Sequence, residues 1–245
     1  MRRSPIRAWS GLLLLSISAS SAAGQSVGTE IERSDRSSAA ETATFLLVPV
    51  GARSVGLGGA VSSARGDIEG SLWNPASIAG LEGSALYLMG GEDFAASSRV
   101  LGGVLAVGRV RAGLTVLHYD LGTIEARDGS NNPLGEIEPA QTAFVLSAGY
   151  PVLDWLDLGA SWKLLRLSAS CSIACGSLDE TSTGSAFDIG AVASLSGNRA
   201  LRGGLLVRNL GAGIGYADGP ADPLPTRLRL GVEADLPALF RSPDA

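Results

Sequence analysis

Residues 226–236, TRLRLGVEADL, alternate without a break. Leu228, Leu230, Val232, Ala234 and Leu236 fall on one side; Arg227, Arg229, Gly231, Glu233 and Asp235 fall on the other. Successive side chains of an extended chain point to opposite faces, so a period of two specifies a strand with one apolar face. Residues 156–164 repeat the pattern, with Leu158, Ala160, Trp162 and Leu164 against Asp157, Gly159, Ser161 and Lys163. Residues 187–195 set Phe187, Ile189, Ala191, Ala193 and Leu195 against Asp188, Gly190, Val192 and Ser194. Noisier versions predict strands at about 84–89, 99–107, 110–121, 142–150 and 201–210, eight in all from residue 84 onward.

The links between these strands alternate in length. Tight turns (GR, PVLDW, SGNRA) follow the second, fourth and sixth strands, and polar loops over 122–141, 169–184 and 211–225 follow the third, fifth and seventh. Short turns at one end and long loops at the other characterise outer-membrane β-barrels, whose tilted strands need about 9–11 residues. Mean hydropathy is +0.24, yet no run reaches the ~18 apolar residues of a membrane helix. A soluble β-sandwich would also alternate, but its polar face would meet solvent and carry more Lys and Thr. Here lysine occurs once, at Lys163. The expected fold is all-β: an antiparallel transmembrane β-barrel of about eight to ten strands over 84–236. Asp157, Lys163, Asp188, Arg227, Arg229 and Glu233 are then expected to face its lumen.

Ahead of the strands, Arg2, Arg3 and Arg7 form a charged region, residues 11–19 an apolar one, and residues 20–24 a small-residue exit. Together they read as a secretory signal peptide over 1–24. Its removal takes three arginines and no acids, moving the formal charge from −5 to −8. With no basic cluster left, the chain argues against nucleic acid as a partner. Residues 25–41 are polar and read as a mobile leader, 42–83 as a glycine-rich opening segment, and 237–245 as a tail. In an exported chain the only cysteines, Cys171 and Cys175, are expected to staple a surface loop as a disulfide. His118 is the sole histidine, and no Gly-x-Ser-x-Gly accompanies it. The chain is accordingly read as a non-enzyme without metal or cofactor.

The opening segment contains GARSVGLGGAVSSARGDIEGSLWNPASIAG over 51–80. A phosphate-cradling loop would end in Gly-Lys-Ser/Thr or lead into an amphipathic helix, and this one does neither. Gly56, Gly58 and Gly59 permit close backbone approach and unusual dihedrals. Asp67 and Glu69 fall in an expected turn. Asn74 is placed to cap a short helix with Pro75 at its first position, where a missing N–H costs nothing.

These residues closely resemble the opening segment of the PorV/PorQ family of bacterial outer-membrane proteins, which belongs with the FadL-like barrels of fatty-acid transporters. The likeness rests on Gly51, Ala52, Arg53, Gly56, Gly58, Gly59, Ala60, Asp67, Trp73, Asn74, Pro75 and Ala76. Weaker matches are LDLGASWKLL over 156–165 and Asn209-Leu210-Gly211, and the resemblance runs from about Phe45 to Leu236. It implies an outer-membrane barrel with its N-terminal segment folded inside the lumen as a plug. It also implies one of two roles. FadL-like barrels pass hydrophobic compounds sideways through the wall, whereas PorV-like members serve type IX secretion by holding exported protein cargo at the cell surface. Lipid is the expected surrounding, with hydrophobic small molecules or secreted proteins as partners. Arg53 and Asp67 either pair with barrel charges inside the lumen or lie solvated on the surface. An eight-stranded barrel is filled by its own side chains, so a plug of this length does not fit within eight strands. Either residues 45–64 add strands, or the barrel is shortened or incomplete.

Overall fold

The computed structural model describes residues 25–31, 41–93, 96–173, 180–215 and 220–236. Residues 1–24 of the expected signal peptide, 32–40 of the expected leader, Cys175 and the expected tail over 237–245 lie outside the described residues. The chain is all-β. Its strands are β1 (Gln25–Ile31), β2 (Ala85–Asp93), β3 (Ala96–Val107), β4 (Val110–Asp120), β5 (Ile124–Arg127), β6 (Pro133–Leu153), β7 (Leu156–Ile173), β8 (Glu180–Ser194), β9 (Leu201–Leu210) and β10 (Arg227–Ala234). They form one sheet of order β1-β10-β9-β8-β7-β6-β4-β3-β2, with β5 pairing β6 off that path. Every pairing is antiparallel.

All eight strands expected from the alternation are present. Two of the expected loops are largely strand instead. The region 122–141 contains β5 and the first part of β6, and β7 and β8 extend into 169–184. The ladder continues there through pairs such as Pro139↔Ala169 and Glu138↔Ser170. Backbone hydrogen bonds alone sustain it, so the side chains need not alternate. For the same reason residues 25–31 are not a mobile leader. They pair with β10 from Gln25↔Ala234 to Ile31↔Leu228, satisfying a row of backbone groups that an edge strand would leave bare.

Barrel closure is not seen: among the described residues no pairing joins β1 to β2, the two ends of the sheet. Strand polarity gives a reason. The path has an odd number of strands, each antiparallel to the next, so β1 and β2 run in the same direction. An antiparallel seam of the kind used everywhere else in the sheet cannot form between them.

One face of the sheet is buried and the other is open, and the open face is the apolar one. Along β7, Asp157, Ser161, Lys163, Leu165 and Leu167 are buried, while Leu158, Trp162, Leu164 and Arg166 are exposed. The same inversion holds on β2, where Leu86 is 85% and Leu88 78% exposed, and on β8, where Ile189 is 59% exposed beside Asp188 at 1%. Leu101, Leu105, Leu114, Phe144, Leu146, Leu205, Leu230 and Val232 continue the exposed band across the sheet. Among the described residues no helix is long and apolar enough to cross a membrane, which says nothing of strands.

The segment over 41–83 covers the buried face. It folds as short turns: 3-10 helices at Thr44–Leu47, Ile68–Ser71 and Pro75–Gly80, and one α-helical turn at Ala52–Gly56. Phe45, Leu46, Val50, Leu72 and Trp73 of this segment form an apolar cluster with Val100, Leu117, Val145, Leu165 and Leu167 of the sheet. Elsewhere its backbone lies on glycines. Gly159 on β7 partners Gly149 on β6 and Gly190 on β8, and Gly204 partners Gly231 across β9 and β10. A Cβ on Gly159 would run into the Pro75–Ala76 backbone, one on Gly190 into the Asn74 side chain, and one on Gly204 into the Ser62 carbonyl. Two glycine rows thus form the bed on which the segment rests.

Candidate functional site

The candidate site is this covering segment together with the charges beneath it. Local chemistry fixes its turns. The Asp67 carboxylate accepts from Glu69 N at 3.0 Å and caps the turn Ile68–Ser71. Asn74 Oδ1 accepts from Ala76 N at 3.1 Å, with Pro75 at the first position of Pro75–Gly80, as the sequence predicts. Asn74 Nδ2 also donates to Ser62 O at 2.6 Å, tying together the two stretches that lie on the glycine rows.

Of the segment's own glycines, Gly51 (φ +105°), Gly58 (φ +61°) and Gly59 (φ +80°) adopt left-handed or related conformations that other residues resist. At Gly51 a Cβ would also strike the Glu69 carboxylate. Close approach is not what Gly56 and Gly58 provide, because nothing lies within 4 Å of a Cβ built at either. The close approach of the segment to the sheet is permitted instead by glycines of the sheet.

The six charges expected to face a lumen lie on the sheet face that the segment covers, and each has a definite environment. Lys163 and Asp188 are both 1% exposed. Lys163 Nζ lies 2.7 Å from Asp188 Oδ2 and donates to Asn209 Oδ1 at 2.8 Å. Asn209 N in turn donates to Asp188 Oδ1 at 2.8 Å. The register shifts between Phe187 and Ile189 opposite β9, and Asn209 takes a left-handed φ of 57° there, a conformation asparagine tolerates better than most residues. Asp157 pairs with Arg65 of the covering segment. Glu233 is 2.8 Å from Arg202 and 3.5 Å from Arg53. Arg227 holds Glu41 through two contacts, at 2.7 and 2.8 Å. The Arg229 guanidinium stands 5.9 Å from the Trp73 ring, on which Arg208 also sits at 4.9 Å.

Arg53 and Asp67, left open by the sequence, are paired with each other, and Arg53 reaches onward to Glu233. Glu69 sits beside them, and burial, with Asp67 alongside, raises its carboxyl above the usual range. The segment's ionic ties therefore run to β7 and β10. Toward β2 and β4 the segment is held by neutral hydroxyls. Ser71 Oγ lies 2.6 Å from Tyr87 Oη and 3.1 Å from Thr115 Oγ1, and the latter two are 2.6 Å apart. Tyr87→Phe is expected to cost about 0.5–1.5 kcal/mol, because Ser71 and Thr115 still satisfy each other. Urea unfolding should show a lower midpoint with an unchanged slope.

Sequence reasoning missed Glu41, Arg65, Arg202 and Arg208. Arg208 donates to the Leu46 carbonyl at 2.7 Å and fixes the segment's first turn. Its one legible signal was an arginine on the small-residue face of a strand. The signature residues Ala52 and Ala76 serve as backbone positions, Ala76 being fully buried against β7. Beneath the segment, between Leu46, Trp73, Lys163 and Arg208, about 20 Å³ of space remains, room for one water.

His118 is half-buried on the outward face, its Nδ1 3.0 Å from Thr142 Oγ1. Cys171 lies on β7 and is disulfide-bonded, while its expected partner Cys175 lies outside the described residues. Neither a family model nor a curated protein matches the chain.

Proposed function

We propose that this chain is a non-enzymatic outer-membrane protein of the PorV/PorQ type, FadL-like in its wall and plug, that passes hydrophobic compounds across the outer membrane. The observation that carries the membrane reading is the inverted burial: leucines outward, and Lys163, Asp188, Asp157 and Glu233 inward. Soluble monomers rarely expose a contiguous apolar patch beyond a few hundred Å². In lipid the same band is the favourable surface, and a polar interior is what a membrane barrel keeps. Lipid does not tolerate unpaired backbone, so insertion requires cover on the β1 and β2 edges.

The residual space beneath the plug supports passage along its side rather than through its centre. A cleft of about 720 Å³ lies between residues 49–56 of the plug and the open edge at β2. Leu88 and Met89, on opposite faces of β2, both line it, so it opens around the edge of the wall.

Fractionation with heat-modifiability on gels tests this reading. The chain is expected in the outer-membrane fraction, with the unboiled form migrating differently from the boiled one. A chain found soluble in the periplasm overturns it.

A further inference from the structure

We infer that a row across the outward face of the sheet, Arg99, His118, Thr142, Arg166 and Thr183, is a binding site for the phosphate headgroup of an anionic membrane lipid. The inference rests on the membrane reading proposed above and names the lipid that this surface selects.

Register builds the row. Arg99 on β3 lies opposite His118 on β4, His118 opposite Thr142 on β6, Thr142 opposite Arg166 on β7, and Arg166 opposite Thr183 on β8. Neighbouring strands are about 4.8 Å apart, so Arg99 and Arg166 stand roughly 14 Å apart on either side of His118 and Thr142. Arg99, Arg166 and Thr183 are exposed, and His118 and Thr142 are partly so. The next row toward the tight turns is apolar: Leu101, Val116, Phe144 and Leu164. Exposed apolar residues then continue along β3 to Val107. The eight residues from Arg99 to Val107 span about 26 Å of strand before tilt, comparable with the ~25 Å apolar band of a membrane barrel. The row thus marks the edge of the band toward the long connections, the level of headgroups, with acyl chains lying on the leucines below it.

Neither Arg99 nor Arg166 makes a hydrogen bond or ion pair among the described residues. The arginines at the tight-turn end differ: Arg109 donates to Pro151 O at 2.8 Å, Arg111 to Leu81 O at 2.7 Å and Arg199 to Asp154 O at 3.1 Å. Two guanidiniums without acceptors at the border of lipid fit an anion from the membrane itself, and the guanidinium fork matches phosphate. The surroundings of Arg166 favour phosphate over a carboxylate. Thr142 and Thr183 place a hydroxyl on each side of it. His118 Nδ1 meets Thr142 Oγ1 at 3.0 Å, and its other ring nitrogen has no hydrogen-bond partner among the described residues. A phosphodiester offers two charged and two ester oxygens to these donors, a carboxylate only two oxygens. Glu92 and Asp120 share this face one row nearer the loops, at the Arg99 end. The direct strand partners of Arg166 are neutral, so Arg166 is the anchor and Arg99 the weaker contact.

The test uses the purified full chain in a neutral detergent, with lipid adducts followed by native mass spectrometry. The probes are phosphatidylglycerol, zwitterionic phosphatidylcholine and the carboxylate oleate. Phosphatidylglycerol is expected to bind about tenfold or more tightly than either of the others. Arg166→Gln should weaken it about tenfold and Arg99→Gln about threefold, each losing one charge-assisted contact. Arg109→Gln, at the opposite rim, should leave it unchanged. Every variant should keep the parent's heat-induced gel shift, and an Arg166→Gln chain that loses it would make that arginine a structural contact and overturn the assignment. Equal affinity for phosphatidylglycerol and oleate overturns the choice of phosphate. Full displacement by inorganic phosphate makes the site one for a free anion and overturns the choice of a lipid. Binding untouched by Arg166→Gln overturns the inference as a whole. A heat-modifiable outer-membrane chain with no headgroup preference sinks this inference alone, whereas a periplasmic chain sinks the membrane reading and this inference with it.

Discussion

Lys163→Met is expected to destabilise the fold by about 3–5 kcal/mol, because it strands Asp188 as an uncompensated charge in the interior. Both side chains are 1% exposed and 2.7 Å apart, so the carboxylate has no solvent to fall back on. Its other named partner, the Asn209 amide, is a single neutral donor. The pair need not be a net gain over an apolar substitute. A desolvated ion pair commonly balances only roughly against well-packed residues of similar volume. The double variant Lys163→Met with Asp188→Asn should therefore recover most of the loss, the amide oxygen still accepting from Asn209 N. Midpoints of the heat-induced gel shift, or urea titrations in liposomes, would report both values. A single variant as stable as the parent would mean that water or another cation reaches Asp188.

Gly159→Val is expected to release the plug from the sheet. The new Cβ would occupy the space of the Pro75–Ala76 backbone, which has no flexible end to swing away. Overpacking of this kind costs about 1–3 kcal/mol and sometimes more. Because the strand itself accepts valine readily, the damage should fall on the interface. Limited proteolysis should then cleave within 41–83 while the strand core stays protected. Gly56→Ala is the matched control, since nothing lies within 4 Å of its added Cβ. It should shift stability by no more than about 0.5 kcal/mol. Equal protease resistance in the two variants would show that the plug does not rest on the glycine row.

The strands that alternated cleanly and those that did not differ for a reason visible in the structure. β8 and β10 carry small or charged residues inward, so a period of two stands out in their sequences. β3, β4 and β6 place Val100, Leu117 and Val145 inward against Phe45, Leu46 and Trp73. With apolar residues on both faces the alternation blurs, and these strands read as noisier versions of the pattern. The polar extensions of β6 and β7 were invisible because ladder hydrogen bonds leave no hydropathy pattern. The strand over 25–31 was missed for the same reason.

The sequence by itself determined the all-β class, most of the strands, the separation of the six charges from the apolar face, and the cap at Asn74. These features are local: a period of two, a side chain two residues from the amide it binds, a proline at a helix start. Only the tertiary structure decided that the apolar face is the uncovered one, since alternation separates two faces without saying which is buried. It alone paired Lys163 with Asp188, Arg65 with Asp157 and Arg227 with Glu41, contacts across 25, 92 and 186 residues of chain. It alone showed that, among the described residues, β1 and β2 do not pair with each other. Register, strand polarity and the glycine bed arise from how distant strands meet, and no local pattern encodes that.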